Sequence, residues 1–252
     1  MKLVRFRENN QIKWGQLDGQ LINAVSGDVF GDYIVSGETF LLNNVQLFAP
    51  CVPSKAVCIG LNYHDHAQEM NLALPSQPLM FLKPSSSLCH PGGKIEYPEI
   101  TRDLHYEAEL AVVIKKQAKK VRPENANEYI LGYTCANDVT ARDLQKGDGQ
   151  WTRGKSFDTF MPIGPCLETE LDPHKLDIRL YLNGELKQSS NTNNLIFKVP
   201  ELIAFITEVM TLYPGDVILT GTPSGVGPMQ AGDIVSVEIN GIGKLDNIIV
   251  KG

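Results

Sequence analysis

The sequence predicts a β-rich α+β protein. Short apolar runs rich in β-branched residues recur along the whole chain. Turn-forming pairs such as Asp18-Gly19 and Asn183-Gly184 separate several of them. Only a few stretches carry helical spacing. At 252 residues and 42% hydrophobic content the chain can build one large domain with a smaller one beside it. The formal charge of −6, with both signs mixed, gives no support for a nucleic-acid or membrane partner. Cys51, Cys58, Cys89, Cys135 and Cys166 form no C-x-x-C pair, which argues against a disulfide framework or a zinc cluster. A reducing, cytoplasmic location is therefore expected. The N-terminus lacks the apolar core of a signal peptide, and no stretch approaches the roughly 18 apolar residues of a membrane span.

Residues 1–48 read as a small β-rich module, with strands expected at Lys2–Phe6, Ile12–Leu17 and Gln20–Ala24. It carries no catalytic signature, so its expected role is to pack on or cover the larger domain, 49–252. Pro50-Cys51-Val52-Pro53-Ser54 marks the boundary. A short strand, Ala56–Gly60, then leads into Asn62-Tyr63-His64-Asp65-His66. Asp65 is placed to cap a short helix. On that helix His66 and Glu69 share a face. Glu69 can orient the imidazole and leave its other nitrogen free to take a proton from water. His64 is a rival base. Pro78–Pro84 reads as a strand carrying Lys83 near its end. Residues 85–104, with three serines, Gly92-Gly93 and several prolines, read as irregular chain.

The run Leu110–Ile114 predicts a buried strand. Residues two apart on a strand face the same side, so Glu107 and Glu109 bring two carboxylates together beside an apolar core. Their mutual repulsion and their burial both disfavour ionisation, and a cation between them removes the conflict. Oxygen-only ligands suit Mg²⁺, Mn²⁺ or Ca²⁺ rather than zinc. The plainer alternative is a half-exposed strand with two solvated glutamates. Pro123–Tyr129 fits a short helix. Ile130–Asp138 is a strand whose terminal aspartate serves equally as a third ligand or as a cap for the helical turn Thr140–Gln145. Lys155, between Gly154 and Ser156, sits where backbone can approach a ligand closely. Leu176–Leu182 and Glu185–Gln188 predict a hairpin, and Pro200–Leu212 an amphipathic helix. The strand Asp216–Thr220 runs into a glycine-rich loop, Gly221–Gly227. That loop lacks the Gly-Lys-Ser/Thr of a phosphate loop and the spacing of a dinucleotide fingerprint, though its amides can bind a carboxylate. Strands Ile234–Ile239 and Leu245–Val250 close the chain.

The ordered set Asn62-Tyr63-x-x-His66-x-x-Glu69, Phe81-Leu82-Lys83-Pro84, Glu107-x-Glu109, Asn137-Asp138-Val139-Thr140-Ala141-Arg142-Asp143, Gly154-Lys155-Ser156-Phe157-Asp158 and Thr220-Gly221-Thr222-Pro223 resembles the fumarylacetoacetate hydrolase superfamily over about residues 55–250. Its short members include acylpyruvases, oxaloacetate decarboxylases and 2-hydroxyhepta-2,4-diene-1,7-dioate isomerases. The resemblance implies a mixed β-roll with peripheral helices and a homodimer. It implies Mg²⁺ or Mn²⁺, with Ca²⁺ as a substitute in crystals, held by Glu107, Glu109 and Asp138. It implies His66 and Glu69 as a catalytic pair on a lid, Lys155 as the active-site lysine, and Arg142, Gln145, Thr222 and Lys83 as contacts to a small oxo-acid substrate. Larger members add an aspartate ligand where this chain has Ile59. The expected function is hydrolysis of a C–C bond in a 2,4-dioxo acid such as an acylpyruvate, through a metal-bound enolate. The alternative is isomerisation, tautomerisation or decarboxylation of a 2-hydroxydienedioate or oxaloacetate.

Overall fold

The computed structural model describes residues 1–252. Ten strands lie side by side in one sheet, in the order Tyr33–Leu41, Leu21–Gly27, Gln11–Asp18, Lys2–Glu8, Met161–Glu168, Ile130–Asn137, Ala108–Ile114, Val217–Leu219, Lys55–Gly60 and Leu79–Pro84. Gln46–Phe48 pairs with Lys2–Glu8, and Leu88–Cys89 with Met161–Glu168. Along the ten-strand path only Val217–Leu219 and Lys55–Gly60 run parallel. The strands of the first 48 residues thus extend the same sheet, joined to it through Lys2 opposite Glu168.

A second, five-stranded sheet packs across the first through Gly243–Lys251, Ile234–Ile239 and Asp177–Leu182. A small three-stranded sheet joins Thr140–Ala141, Leu104–Tyr106 and Gly227–Pro228. The helix Val199–Val209 packs on the 3-10 segment Pro123–Tyr129. This is the β-rich mixed roll with outer helices that the sequence resemblance implies. No helix is long and apolar enough to cross a membrane.

The central strand explains its own composition. Leu110, Val112 and Ile114 enter a large core with Ile178, Leu180 and Val237. Ala111 and Val113 enter a second core with Val217, Leu219 and Ile163 on the opposite face. A strand covered on both sides has no solvent face, so it reads as an unbroken apolar run. Each large aliphatic side chain so buried contributes roughly 1.5–3 kcal/mol.

Several sequence expectations need correction. Residues 85–104 are not irregular throughout: Leu88–Cys89 and Lys94–Tyr97 are strands, and Leu104 begins another. Met161–Glu168 is a central strand with no expectation behind it. Pro162, Gly164 and Pro165 within it are residues that sequence reading treats as strand breakers. Glu107 is itself a break, where the chain leaves Leu104–Tyr106 in the small sheet and enters Ala108–Ile114 in the large one.

Asp216 ties the domain boundary to the sheet. Its buried carboxylate accepts from the backbone N–H of Ser54, Lys55 and Tyr213, from the Ser54 hydroxyl and from Lys55 Nζ at 2.5 Å. Burial works to raise its pKa, but Lys55, Ser54 and the Tyr213 N–H outweigh it and hold the carboxyl below its ordinary value. A group whose pKa is depressed on folding stabilises above its unfolded pKa and loses that contribution as pH falls through the folded one. Asp216→Ala is expected to cost about 2–4 kcal/mol near neutral pH, as for a buried pair that loses one partner. Urea melts of both proteins should show that gap closing below about pH 4, the ordinary aspartate value; a gap independent of pH contradicts the assignment.

Candidate active site

The acids arrive from separate positions on the large sheet. Glu107 and Glu109 flank Ala108, and Asp138 follows Asn137 at the end of the adjoining strand. Ala108 and Asn137 are register partners, and just beyond that pair the Asp138 N–H donates to the Glu107 carbonyl at 2.9 Å, which sets the three acids at one level. One carboxylate oxygen from each lies within 4.8 Å of the others, and all three residues are buried. Asp138 is not a helix cap: the helix Arg142–Asp148 begins after Ala141 without a side-chain cap, and Asp138 turns into the acid cluster.

Three cations answer the three acids. Lys155 Nζ donates to Glu107 Oε2 and Asp138 Oδ2, each at 2.7 Å. Arg142 hydrogen-bonds Glu107 Oε1. Lys83 Nζ lies 2.7 Å from Asp138 Oδ1 and donates to the carbonyls of Val139, Lys155 and Phe160. The cluster is therefore formally neutral by itself. Burial opposes ionisation of Glu107, but Lys155 and Arg142 hold it well below the carboxylate range. Burial opposes protonation of Lys155 too, yet Asp138 and Glu107 raise it, so it stays an ammonium.

Glu109 differs. Burial, Asp138 and Glu107 all push its carboxyl well up, and its one hydrogen bond is the Gly221 N–H at 2.7 Å. Asp138 Oδ1 is likewise buried, and the Lys83 ammonium 2.7 Å away already gives its three hydrogens to carbonyls. These are two acids with oxygens still to satisfy. An all-carboxylate donor set with such oxygens fits a hard divalent cation.

The acids open onto a cavity of about 270 Å³. His66, Arg142, Gln145, Lys155 and Thr222 line it with them. Glu69 stands behind His66 and binds its Nδ1 at 2.9 Å, while Glu69 Oε1 accepts the Gly225 N–H at 3.0 Å. Arg142 donates to Gln145 at 2.6 Å. His64 does not line the cavity. Ile59 does. Asp65 is not a cap: it sits in the first turn of His64–Glu69, and its carboxylate accepts from Ser190 and Asn194.

Lys83 is the one expected substrate contact that the structure relocates. Its ammonium is sealed beneath Asp138 with three carbonyls around it and does not reach the cavity. Sequence reasoning missed Lys146 and Trp151, which also line the cavity. Lys146 lies four residues after Arg142 on one helix, a spacing that could have exposed it. Trp151 packs on Gly60, where a Cβ would stand 2.4 Å from its ring; only the fold brings that pair together.

Comparison with known proteins places the whole chain among relatives of one family. The family described as fumarylacetoacetate (FAA) hydrolase C-terminal matches residues 55–250, and one described as Rv2993c-like, N-terminal matches residues 1–50. The mitochondrial oxaloacetate tautomerase fahd2 of Xenopus laevis is 46% identical over 221 residues, 82% of this chain and 69% of that protein. The structure of 2-hydroxyhepta-2,4-diene-1,7-dioate isomerase from Mycobacterium marinum is 40% identical with a TM-score of 0.93, covering 100% of this chain and 98% of that one. Maleylpyruvate hydrolase from Sphingobium sp. SYK-6, in complex with manganese(II) and pyruvate, is 30% identical with a TM-score of 0.83 over the whole of both chains.

The two lysines should separate by assay. Lys83→Met leaves three carbonyls and a buried acid without their cation and is expected to cost about 3–5 kcal/mol of stability. Lys155→Met also strips two buried acids of their cation and should cost stability of similar size, but its folded fraction should have lost turnover whereas folded Lys83→Met keeps part of it; equal residual turnover in the two variants contradicts this division. Mn²⁺ at a hundred times its Kd should add about 2.7 kcal/mol, a rise of roughly 5–10 °C in a chain of this size. Glu109→Gln is expected to abolish that rise in a thermal scan.

Proposed function

The chain belongs to the fumarylacetoacetate hydrolase family, and from that premise we propose that it is a divalent-metal enzyme acting on small 2-oxo acids, with hydrolysis of a C–C bond in a 2,4-dioxo acid as its reaction. The observation that carries the proposal is His66, backed by Glu69, lining the same small cavity as the three acids. Glu107, Glu109 and Asp138 would hold the ion, with Mg²⁺ the proposed species. A divalent ion bound there supplies Lewis-acid polarisation of a 2-oxo carbonyl.

The protein's own groups account for the rest. With the acid cluster formally balanced by its three cations, a divalent ion leaves the site positive, which suits an anionic substrate. Arg142 spans Glu107 and Gln145, so its guanidinium is fixed at the cavity wall to receive a carboxylate. Glu69 accepts from His66 Nδ1–H, which leaves Nε2 as the proton acceptor. His66 can then take a proton from water as that water attacks the distal carbonyl of an acylpyruvate. The carbon–carbon bond breaks toward the 2-oxo side, and the resulting enolate is quenched by a proton to give pyruvate and a carboxylic acid. Lys155 Nζ, an ammonium at the cavity floor, stabilises negative charge that develops on oxygen.

A second reading is keto–enol tautomerisation or double-bond isomerisation. The relatives named for those activities are 46% and 40% identical, against 30% for the named hydrolase. In that reading His66 moves a proton on and off the carbon beside the oxo group and no water attacks. Both readings need the same enolate, so the acids and the lysine are common to them.

His66→Ala is expected to lower turnover about 100- to 10,000-fold, the usual worth of a general base. Acetylpyruvate, oxaloacetate and a 2-hydroxydienedioate should be compared with Mg²⁺ present, following pyruvate release and enol absorbance separately. Pyruvate release from acetylpyruvate supports hydrolysis. Enol decay without pyruvate supports tautomerisation, and no reaction with any of the three rejects both.

A further inference from the structure

Gln188 lies on the hairpin strand Glu185–Asn191 and is buried, yet nothing in the proposed chemistry uses it. Its side-chain amide is fully committed. Oε1 accepts the backbone N–H of Ala108 at 2.9 Å. Nε2 donates to Thr222 Oγ1 and to the Pro223 carbonyl, each at 2.9 Å, and to the Ser224 carbonyl at 3.4 Å. The reverse orientation would set NH₂ against an N–H and oxygen against two carbonyls, so the network admits one assignment.

That assignment constrains Thr222. A hydroxyl has one hydrogen, and Thr222 Oγ1 already receives one from Gln188. It donates to no protein group, and the residue lines the cavity. Its hydrogen is therefore free to point at a ligand. The loop is held tightly against the same hairpin: a Cβ on Gly225, whose φ is +93°, would stand 2.4 Å from the Lys187 carbonyl. Ala108, at the other end of the Gln188 amide, is the residue between Glu107 and Glu109.

We propose that Gln188 is a positioning residue that makes Thr222 an obligate hydrogen-bond donor to the carboxylate of a bound oxo acid. It does so by spanning from the acid-bearing strand to the Thr222 loop. The inference rests on reading the cavity as an oxo-acid site, and the test separates the two. Trp151 lines the cavity, and Trp14, the other tryptophan, lies on the distant strand Gln11–Asp18. Trp151 emission can therefore report binding of pyruvate and of oxaloacetate to the Mg²⁺-loaded chain, with no need for turnover.

Thr222→Val and Gln188→Met are each expected to weaken binding about 10- to 100-fold, the range for a hydrogen bond to a charged group. The double variant should bind no worse than the weaker single variant, within about threefold, because both remove one interaction. Losses that multiply would show that Gln188 acts independently of Thr222, and the inference falls while the oxo-acid reading stands. Should Gln188→Met fail to fold, Gln188→Glu at pH 8 keeps the acceptor for Ala108 and loses both donors. Weakened binding in that variant supports the inference, and wild-type affinity overturns it. A wild-type chain whose emission responds to neither acid overturns the oxo-acid reading and this inference with it.

Discussion

Three buried carboxylates within 4.8 Å of one another are an electrostatic liability, and much of the surrounding structure answers it. Lys83, Lys155 and Arg142 come from three different segments to neutralise them. Gly221 turns an amide toward Glu109. At that position φ is +103°, and a Cβ would stand 2.8 Å from the Asn62 side chain. A left-handed backbone with no room for a side chain calls for glycine. The glycine-rich loop that could have held an external anion thus holds one of the protein's own.

The cost of this arrangement falls unevenly. Glu107 is stabilised on both oxygens, whereas Glu109 has one amide and two repelling neighbours. Lys83 and Lys155 share the acid Asp138 but have different surroundings. One is enclosed by carbonyls beneath the cluster, and the other is open to the cavity. Similar side chains therefore stand in different settings: the first is sealed among backbone carbonyls, and the second lines the cavity.

What the sequence revealed follows from the range of each interaction. Glu107 and Glu109 are legible because residues two apart in extended chain stay close, although Glu107 itself sits at the break between two strands. His66 and Glu69 are legible because helix period does the same. Lys83 was expected to contact substrate because the resemblance carries no depth information, and its four oxygen partners, which seal it beneath the cluster, come from distant segments. The strand Met161–Glu168 was hidden by Pro162 and Pro165, which local rules count against a strand even though it pairs on both sides here. Gln188 was invisible for a related reason: its partners are 34 to 80 residues away, and no spacing rule spans that distance.

The acid cluster and the His66–Glu69 pair are built on unlike foundations. Glu109 lies in, and Glu107 and Asp138 directly adjoin, strands enclosed by two cores. His66 and Glu69 ride on a six-residue helix tied down by Asp65 and Gly225. A change in that helix leaves the strand cores untouched, whereas shifting an acid disturbs both. On the function proposed above, sequence change can therefore rewrite what happens to a bound molecule while keeping how it is bound.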